Sequence, residues 1–306
     1  MADETQSEDQ AIHEELVSRA IKNPEQVYDF LFKVTVLFFL IIMLFPFYWL
    51  LVLALTPSGR IINMGIFPRG FNVDVFVEVF EMVPFHVFVL NSFILSIMTT
   101  VIVLVLGSLA GYVFGRLEFP GRGVLMLTIL VISYFPPAAF LLPLFRLFTG
   151  NVTVLGVQSP NWFNTPGAMV LPFSSLVLPL SIFILTTFYS QIPDGLEDAA
   201  RIEGTTRIGA LFRIIVPLSA PGVATAGILT FITVYNEFFF SFLMTDGQAQ
   251  NWAPLVWGIL QYQGEFSQFY NLMAAASIIG VLPVVVLVVV AQERIVSGLT
   301  QGALKE

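Results

Sequence analysis

The chain has 306 residues, of which 57% are apolar and 11% charged, with a formal net charge of −8 and no cysteine. Soluble domains carry roughly 25% charged residues because their surfaces face water, so this composition excludes a soluble globular fold and describes an integral membrane protein. The missing cysteines exclude disulfides, thiol chemistry and Cys-ligated metal sites.

In chain order, residues 1–33 begin acidic and include an amphipathic run from Ala11 to about Lys22. They read as a cytoplasmic tail, either solvated with a short surface helix or a docking element. Beyond them the apolar runs are continuous rather than alternating, which predicts helices and an all-α fold. Crossing a hydrocarbon core about 30 Å thick takes roughly 20 helical residues, and lipid admits only helices and closed barrels. Six transmembrane helices are expected, at about 34–55, 87–115, 123–145, 167–193, 214–242 and 266–292. They make up a polytopic membrane domain over 34–293, with a tail over 294–306. The charged segment before the first run, with no small-residue cleavage site after it, predicts a retained helix rather than a signal peptide. Gly107 and Gly111 form a GxxxG that permits close helix contact. Pro46, Pro136, Pro137, Pro143, Pro172, Pro179 and Pro283 lie within the spans and remove helix donors. Kinked helices suit a moving bundle, although proline is also simply commoner in membrane helices.

Lys and Arg in short loops stay on the cytoplasmic side. With an even number of spans and both termini inside, ten cations lie inside and three, Arg60, Arg69 and Arg146, outside. Both termini are therefore expected in the cytoplasm, together with the segment 194–217. That segment is a polar island holding four acids and three arginines. Asp194 and Glu197 have the spacing of a capping box, and Gly204 that of a C-cap. Thr205 or Thr206 can then cap a second helix running to about Phe212 and ending before Pro217. A helix, a sharp turn and a helix are predicted, with Glu197/Arg201 and Glu203/Arg207 as i,i+4 pairs. Ala199 and Ala200 beside the turn are small enough for another protein's surface to close in.

The pattern Asp198-Ala199-Ala200-x3-Gly204-x9-Ile214-x-Val216-Pro217 resembles the EAA loop, E-A-A-x3-G-x9-I-x-L-P, of the membrane subunits of binding-protein-dependent ABC importers. Asp198 and Val216 are the two departures. Asn91-Ser92, the turn Arg116 to Gly121, Tyr235-Asn236-Glu237-Phe238 and the tail Gly298 to Lys305 are similar to the carbohydrate-uptake branch, in particular to the shorter maltose permease. Tyr235 stands where that branch usually has Trp. The resemblance covers roughly residues 30–306 and implies a type I ABC importer-like permease. It implies that Glu197, Asp198, Ala199, Ala200, Glu203, Gly204 and Pro217 form a coupling helix seated in a cytoplasmic ATPase dimer. It also implies a homologous second permease subunit and an extracytoplasmic sugar-binding protein. ATP and Mg²⁺ would be held by the partner ATPase, no cofactor by this chain, and no nucleic acid is involved.

The residues themselves support one part of this. A Walker A loop needs Gly-Lys before Ser or Thr, and the lysines Lys22, Lys33 and Lys305 all lack a preceding Gly. The chain is thus not expected to be the ATPase, nor an enzyme by itself. The alternative class is an ion-gradient-driven secondary transporter or channel, whose relay would need buried ionisable residues; Glu237 is the one strong candidate. It could bond sugar hydroxyls, pair across a subunit interface or cap a helix end. Asn91, Tyr134, Asn236 and Glu237 are the candidate substrate-pathway residues, since rings stack on sugars and amides bond hydroxyls. Polar residues in bundles also bond helices together.

Overall fold

The computed structural model describes residues 24–264 and 269–303. The amphipathic run expected at Ala11 to Lys22 lies outside them. The first helix, α1, spans Pro24–Leu55, ten residues longer at its start than the expected span, with Pro24 at a position where a missing N–H costs no hydrogen bond. A 3₁₀ turn (Ser58–Asn63) and the short helix α2 (Val75–Met82) fill the next loop. Then come α3 (Phe85–Arg116), α4 (Arg122–Ser133) and α5 (Ala138–Phe148). A two-stranded antiparallel hairpin, β1 (Thr153–Val154) and β2 (Val157–Gln158), is the sole sheet among the described residues. Its turn places Leu155 and Gly156 at φ 52° and 83°.

Helix α6 spans Pro166–Tyr189 and α7 spans Asp194–Ile202. Helix α8 spans Arg207–Leu218 and meets α9 (Ala220–Tyr235) at a bend of 86°. The short α10 (Ser241–Met244) and α11 (Leu255–Leu260) precede α12 (Tyr270–Ala303), which continues unbroken into the expected C-terminal tail.

Four of these helices are long and apolar enough to cross a membrane, or up to six if each bent pair counts as one span. The expected span 123–145 is one such pair: α4 and α5 meet at 87°. Pro136 and Pro137 lie at the break, and two adjacent residues without N–H donors end the helical ladder there. The expected span 214–242 is likewise divided, bent at Ser219 and interrupted again after Tyr235.

Helix α6 is central, with 61% of its apolar window buried, whereas α1 is peripheral with 6%. The α3–α6 seam rests on glycine. A Cβ on Gly111 would lie 2.9 Å from Leu185 Cβ, and one on Gly115 would lie 3.2 Å from Thr186 O. The Gly107/Gly111 pair therefore permits close approach as its spacing suggests, and Gly115 extends it by a further turn. At one end of this seam, Tyr112, Leu185, Tyr189, Leu211 and Ile215 form a buried cluster that seats α8.

Candidate functional site

The polar island folds as a helix, a tight turn and a helix. Helix α7 ends in a Schellman arrangement: Gly204 N–H donates to Arg201 O at 3.0 Å and Thr205 N–H to Ala200 O at 3.0 Å. Gly204 has φ +93°, a conformation in which a Cβ would press on the neighbouring carbonyl. Of the two threonines that could start the next helix, Thr206 does so, its hydroxyl accepting from Gly209 N–H at 3.1 Å.

Helix α8 runs past Phe212 to Leu218, beyond the stop expected before Pro217. A π turn over Leu211–Ile215, in which Val216 N–H donates to Leu211 O, widens the ladder just ahead of the proline. The helix then continues for one short stretch, and the chain turns at Ser219.

The start of α7 differs from the expected capping box. Neither Asp194 nor Glu197 caps the helix; the N-cap is Pro193, which makes no side-chain bond. Both carboxylates are instead taken by the last residue of α3. Arg116 places Nη1 2.9 Å from Asp194 Oδ1 and Nε 3.1 Å from Glu197 Oε2. Its guanidinium also donates to Ile192 O, and the Tyr112 hydroxyl donates to Glu197 Oε1. Tyr112 and Arg116 are four residues apart, so they share one face of α3. The Arg116 and Glu197 side chains are 4% and 9% exposed. A buried ion pair needs further hydrogen bonds to offset its desolvation, and here the tyrosine and the Ile192 carbonyl supply them.

The two expected i,i+4 pairs do not form. Glu197 is occupied by α3, and Arg201 lies 3.9 Å from Asp198 instead. Gly204 breaks the helix between Glu203 and Arg207, which removes the helical spacing that would pair them. Ala200 is buried and Ala199 exposed, so only one of the two alanines presents a small surface. Around it Leu196, Asp198, Arg201, Ile202, Glu203, Ile208 and Phe212 are exposed, Ile202 at 87%. The turn thus offers a mixed apolar and charged face, and its underside is locked to the bundle. Pro217 is also exposed but lies well along α8, away from the turn.

Tyr112 and Arg116 belong to this site and escape sequence reasoning. Arg116 is legible there as a cation at the end of a span and as the start of the Arg116 to Gly121 turn, neither of which points to Glu197. It meets Glu197, 81 positions further along the chain, and no local spacing carries that signal.

The four candidate pathway residues are not brought together. Asn91 is buried and its amide donates to Ala249 O and Ala253 O, at 2.7 and 3.0 Å, tying α3 to the segment before α11. Tyr134 is 88% exposed at the α4–α5 break. Asn236 donates to Ile232 O at 3.0 Å, one turn back on its own helix. It borders a cavity of about 430 Å³ with Phe47, Leu50, Leu255, Ser277 and Val281. Glu237 accepts from Phe240 N–H at 3.0 Å through Oε1, while its buried Oε2 has no partner among the described residues. Tyr235 donates to Gly280 O at 2.8 Å, holding α9 against α12.

Residues 104–301 match the family described as the binding-protein-dependent transport system inner membrane component. The chain is 37% identical over 264 residues to the sulfoquinovosyl glycerol transport system permease protein SmoH of Agrobacterium fabrum, covering 86% of this chain and 89% of that protein. It is 34% identical to the trehalose transport system permease protein SugB of Mycobacterium tuberculosis, with 86% and 92% covered. It is also 34% identical to the trehalose/maltose transport system permease protein MalG of Thermococcus litoralis, with 87% and 92% covered. Its fold is similar to a chain of a bacterial ABC transporter involved in import of the acidic polysaccharide alginate, with a TM-score of 0.70 at 16% identity, covering 88% of this chain and 96% of that one. The chain therefore belongs to the binding-protein-dependent transport system inner membrane component family, as a multi-pass plasma-membrane permease of its carbohydrate-uptake branch.

Proposed function

We propose that this permease works in an ATP-driven sugar importer and that α7, the Gly204 turn and the start of α8 form the contact through which a cytoplasmic ATPase dimer moves it. The observation that carries this reading is the construction of the turn. Its outer face, with Asp198, Ala199, Ile202 and Glu203, is exposed, and its inner face is bonded to α3 through Glu197. A surface element that only had to stay solvated would not need that buried ion pair. In this reading six spans cross the membrane, both termini and α7 face the cytoplasm, and ATP and Mg²⁺ bind the partner ATPase. A homologous permease completes the pathway and an external binding protein delivers the cargo. The named relatives transport sulfoquinovosyl glycerol, trehalose and maltose, which supports a small glycoside as substrate. The similar alginate transporter has been crystallised with an oligosaccharide-bound periplasmic protein, which supports the external partner.

The test is uptake of labelled sugar into vesicles carrying the assembled complex. ATP-dependent uptake that survives a protonophore is the expected result, whereas arrest by the protonophore at constant ATP would establish an ion-coupled carrier instead. Replacing Asp198 with Lys, or Gly204 with a bulky residue, is expected to leave membrane insertion intact and to uncouple ATP hydrolysis from uptake. Normal ATP-driven uptake by both variants would remove the turn from the coupling path.

A further inference from the structure

Helix α7 is joined by the backbone to α6 on one side and, through α8, to α9 on the other. It has no covalent link to α3, which reaches the same place from 81 residues earlier in the chain. Yet the densest set of polar bonds on α7 runs to α3. Arg116 bonds Ile192 O, Asp194 and Glu197 at once, and Tyr112, one turn back, takes the remaining oxygen of Glu197. Arg suits this role because its planar fork can hold several acceptors in fixed directions, which a lysine ammonium cannot. Asp194 is exposed, but burial of Arg116 and Glu197 keeps water from competing at the Glu197 oxygens, so that part of the joint is stiff. Along its length α3 lies against α6 on Gly107, Gly111 and Gly115, with spacings that leave no room for a side chain on Gly111.

We infer that Arg116 and Tyr112 are positioning residues that clamp Glu197, so that displacement of α7 is passed directly to α3 as well as to the helices that follow it in the chain. This rests on the proposal that α7 is the element an ATPase moves. The clamp makes α3, α6 and α7 one body. A push on the exposed face of the turn would then tilt α3 rather than merely flex the 190–193 connection.

The experiment uses the whole complex of both permeases, the ATPase and the binding protein. The chain has no native cysteine, so Gly195→Cys and Val105→Cys can carry a spin-label pair across α7 and α3. A Cβ on Gly195 meets nothing within 4 Å, and Val105 is exposed. In the parent complex the label distance is expected to be single and unchanged between nucleotide-free and ATP-trapped states. In Arg116→Ala the distance is expected to broaden or change with nucleotide, and sugar delivered per ATP hydrolysed to fall by roughly tenfold or more. If Arg116→Ala does not assemble, Glu197→Gln and Tyr112→Phe each weaken one contact without removing the arginine, and both should lower the same ratio. A merely structural defect would lower uptake and hydrolysis together and leave their ratio unmoved. Full transport efficiency in these variants, or a label distance that changes during the parent's own normal cycle, would overturn the clamp. A parent complex that takes up no sugar on ATP would instead overturn the importer reading on which the clamp rests.

Discussion

Two carboxylates sit at breaks in the helical bundle, and they are treated in opposite ways. Glu197, in the first turns of α7, has a partner for each oxygen: the Tyr112 hydroxyl on one and Arg116 on the other. Glu237, just past the end of α9, uses one oxygen to cap its own backbone at Phe240 and leaves the other buried without a partner among the described residues. A fully satisfied buried network fixes a geometry, whereas a half-satisfied one retains the desolvation cost of its unpaired atom. The first arrangement is built for rigidity between distant segments. The second is local, and it keeps one acceptor free.

The sharpest way to break that contrast is Glu197→Ala. It leaves the Arg116 side chain, 4% exposed, without its most buried counter-charge. A loss of about 3 kcal/mol or more is expected, because removing one partner of a buried pair strands the other. Denaturant unfolding of the purified protein in detergent would read it. A loss below about 1 kcal/mol, the range of exposed pairs, would place Glu197 with surface ions and erase the distinction. A smaller effect is expected at the turn itself. Gly204→Ala introduces a Cβ that meets no neighbour within 4 Å, so only backbone strain at φ +93° acts, at about 1 kcal/mol in the same assay. Gly204→Asn should cost less, since Asn tolerates this region better than other side-chain-bearing residues. Equal and negligible costs for both would show that the turn relaxes, and that α7 is held by its Arg116 and Tyr112 contacts instead.

The sequence made the turn legible because its signals are local. Gly204 ends one helix, Thr205 or Thr206 starts the next, and the glycine pair on α3 marks a close seam; each follows from residues within a few positions of one another. The joint beneath the turn is a different case. Glu197 at three residues from Asp194 satisfies a capping pattern, and nothing in that spacing reveals that Arg116 competes for both carboxylates and takes them. The bent pairs were half visible. Pro136 and Pro137 mark the α4–α5 break, but the bend at Ser219 follows a π turn, and a single π turn has no periodicity to read. Asn91 shows the remaining limit. An amide in a span looks equally suited to a sugar and to a neighbouring carbonyl, and here two carbonyls claim it.

The smallest expected effect completes the comparison from the other carboxylate. Glu237→Gln keeps an oxygen that can accept from Phe240 N–H and replaces the unpartnered Oε2 with an amide nitrogen. No ion pair holds Glu237 among the described residues, so the substitution strands no opposite charge. It also removes the need to bury a carboxylate with one bare oxygen. Stability is therefore expected to change by no more than about 0.5 kcal/mol in either direction. Glu197→Gln, although equally conservative in shape, takes the buried counter-charge from Arg116, leaving it only the exposed Asp194, and should cost clearly more in the same unfolding experiment. Equal losses in the isolated protein would erase the contrast between the two carboxylates, whereas a cation from outside this chain acts on Glu237 only in the assembled complex. Measuring both variants alone and then in the full complex separates that case: a cost that appears for Glu237→Gln only on assembly locates the missing partner on another subunit.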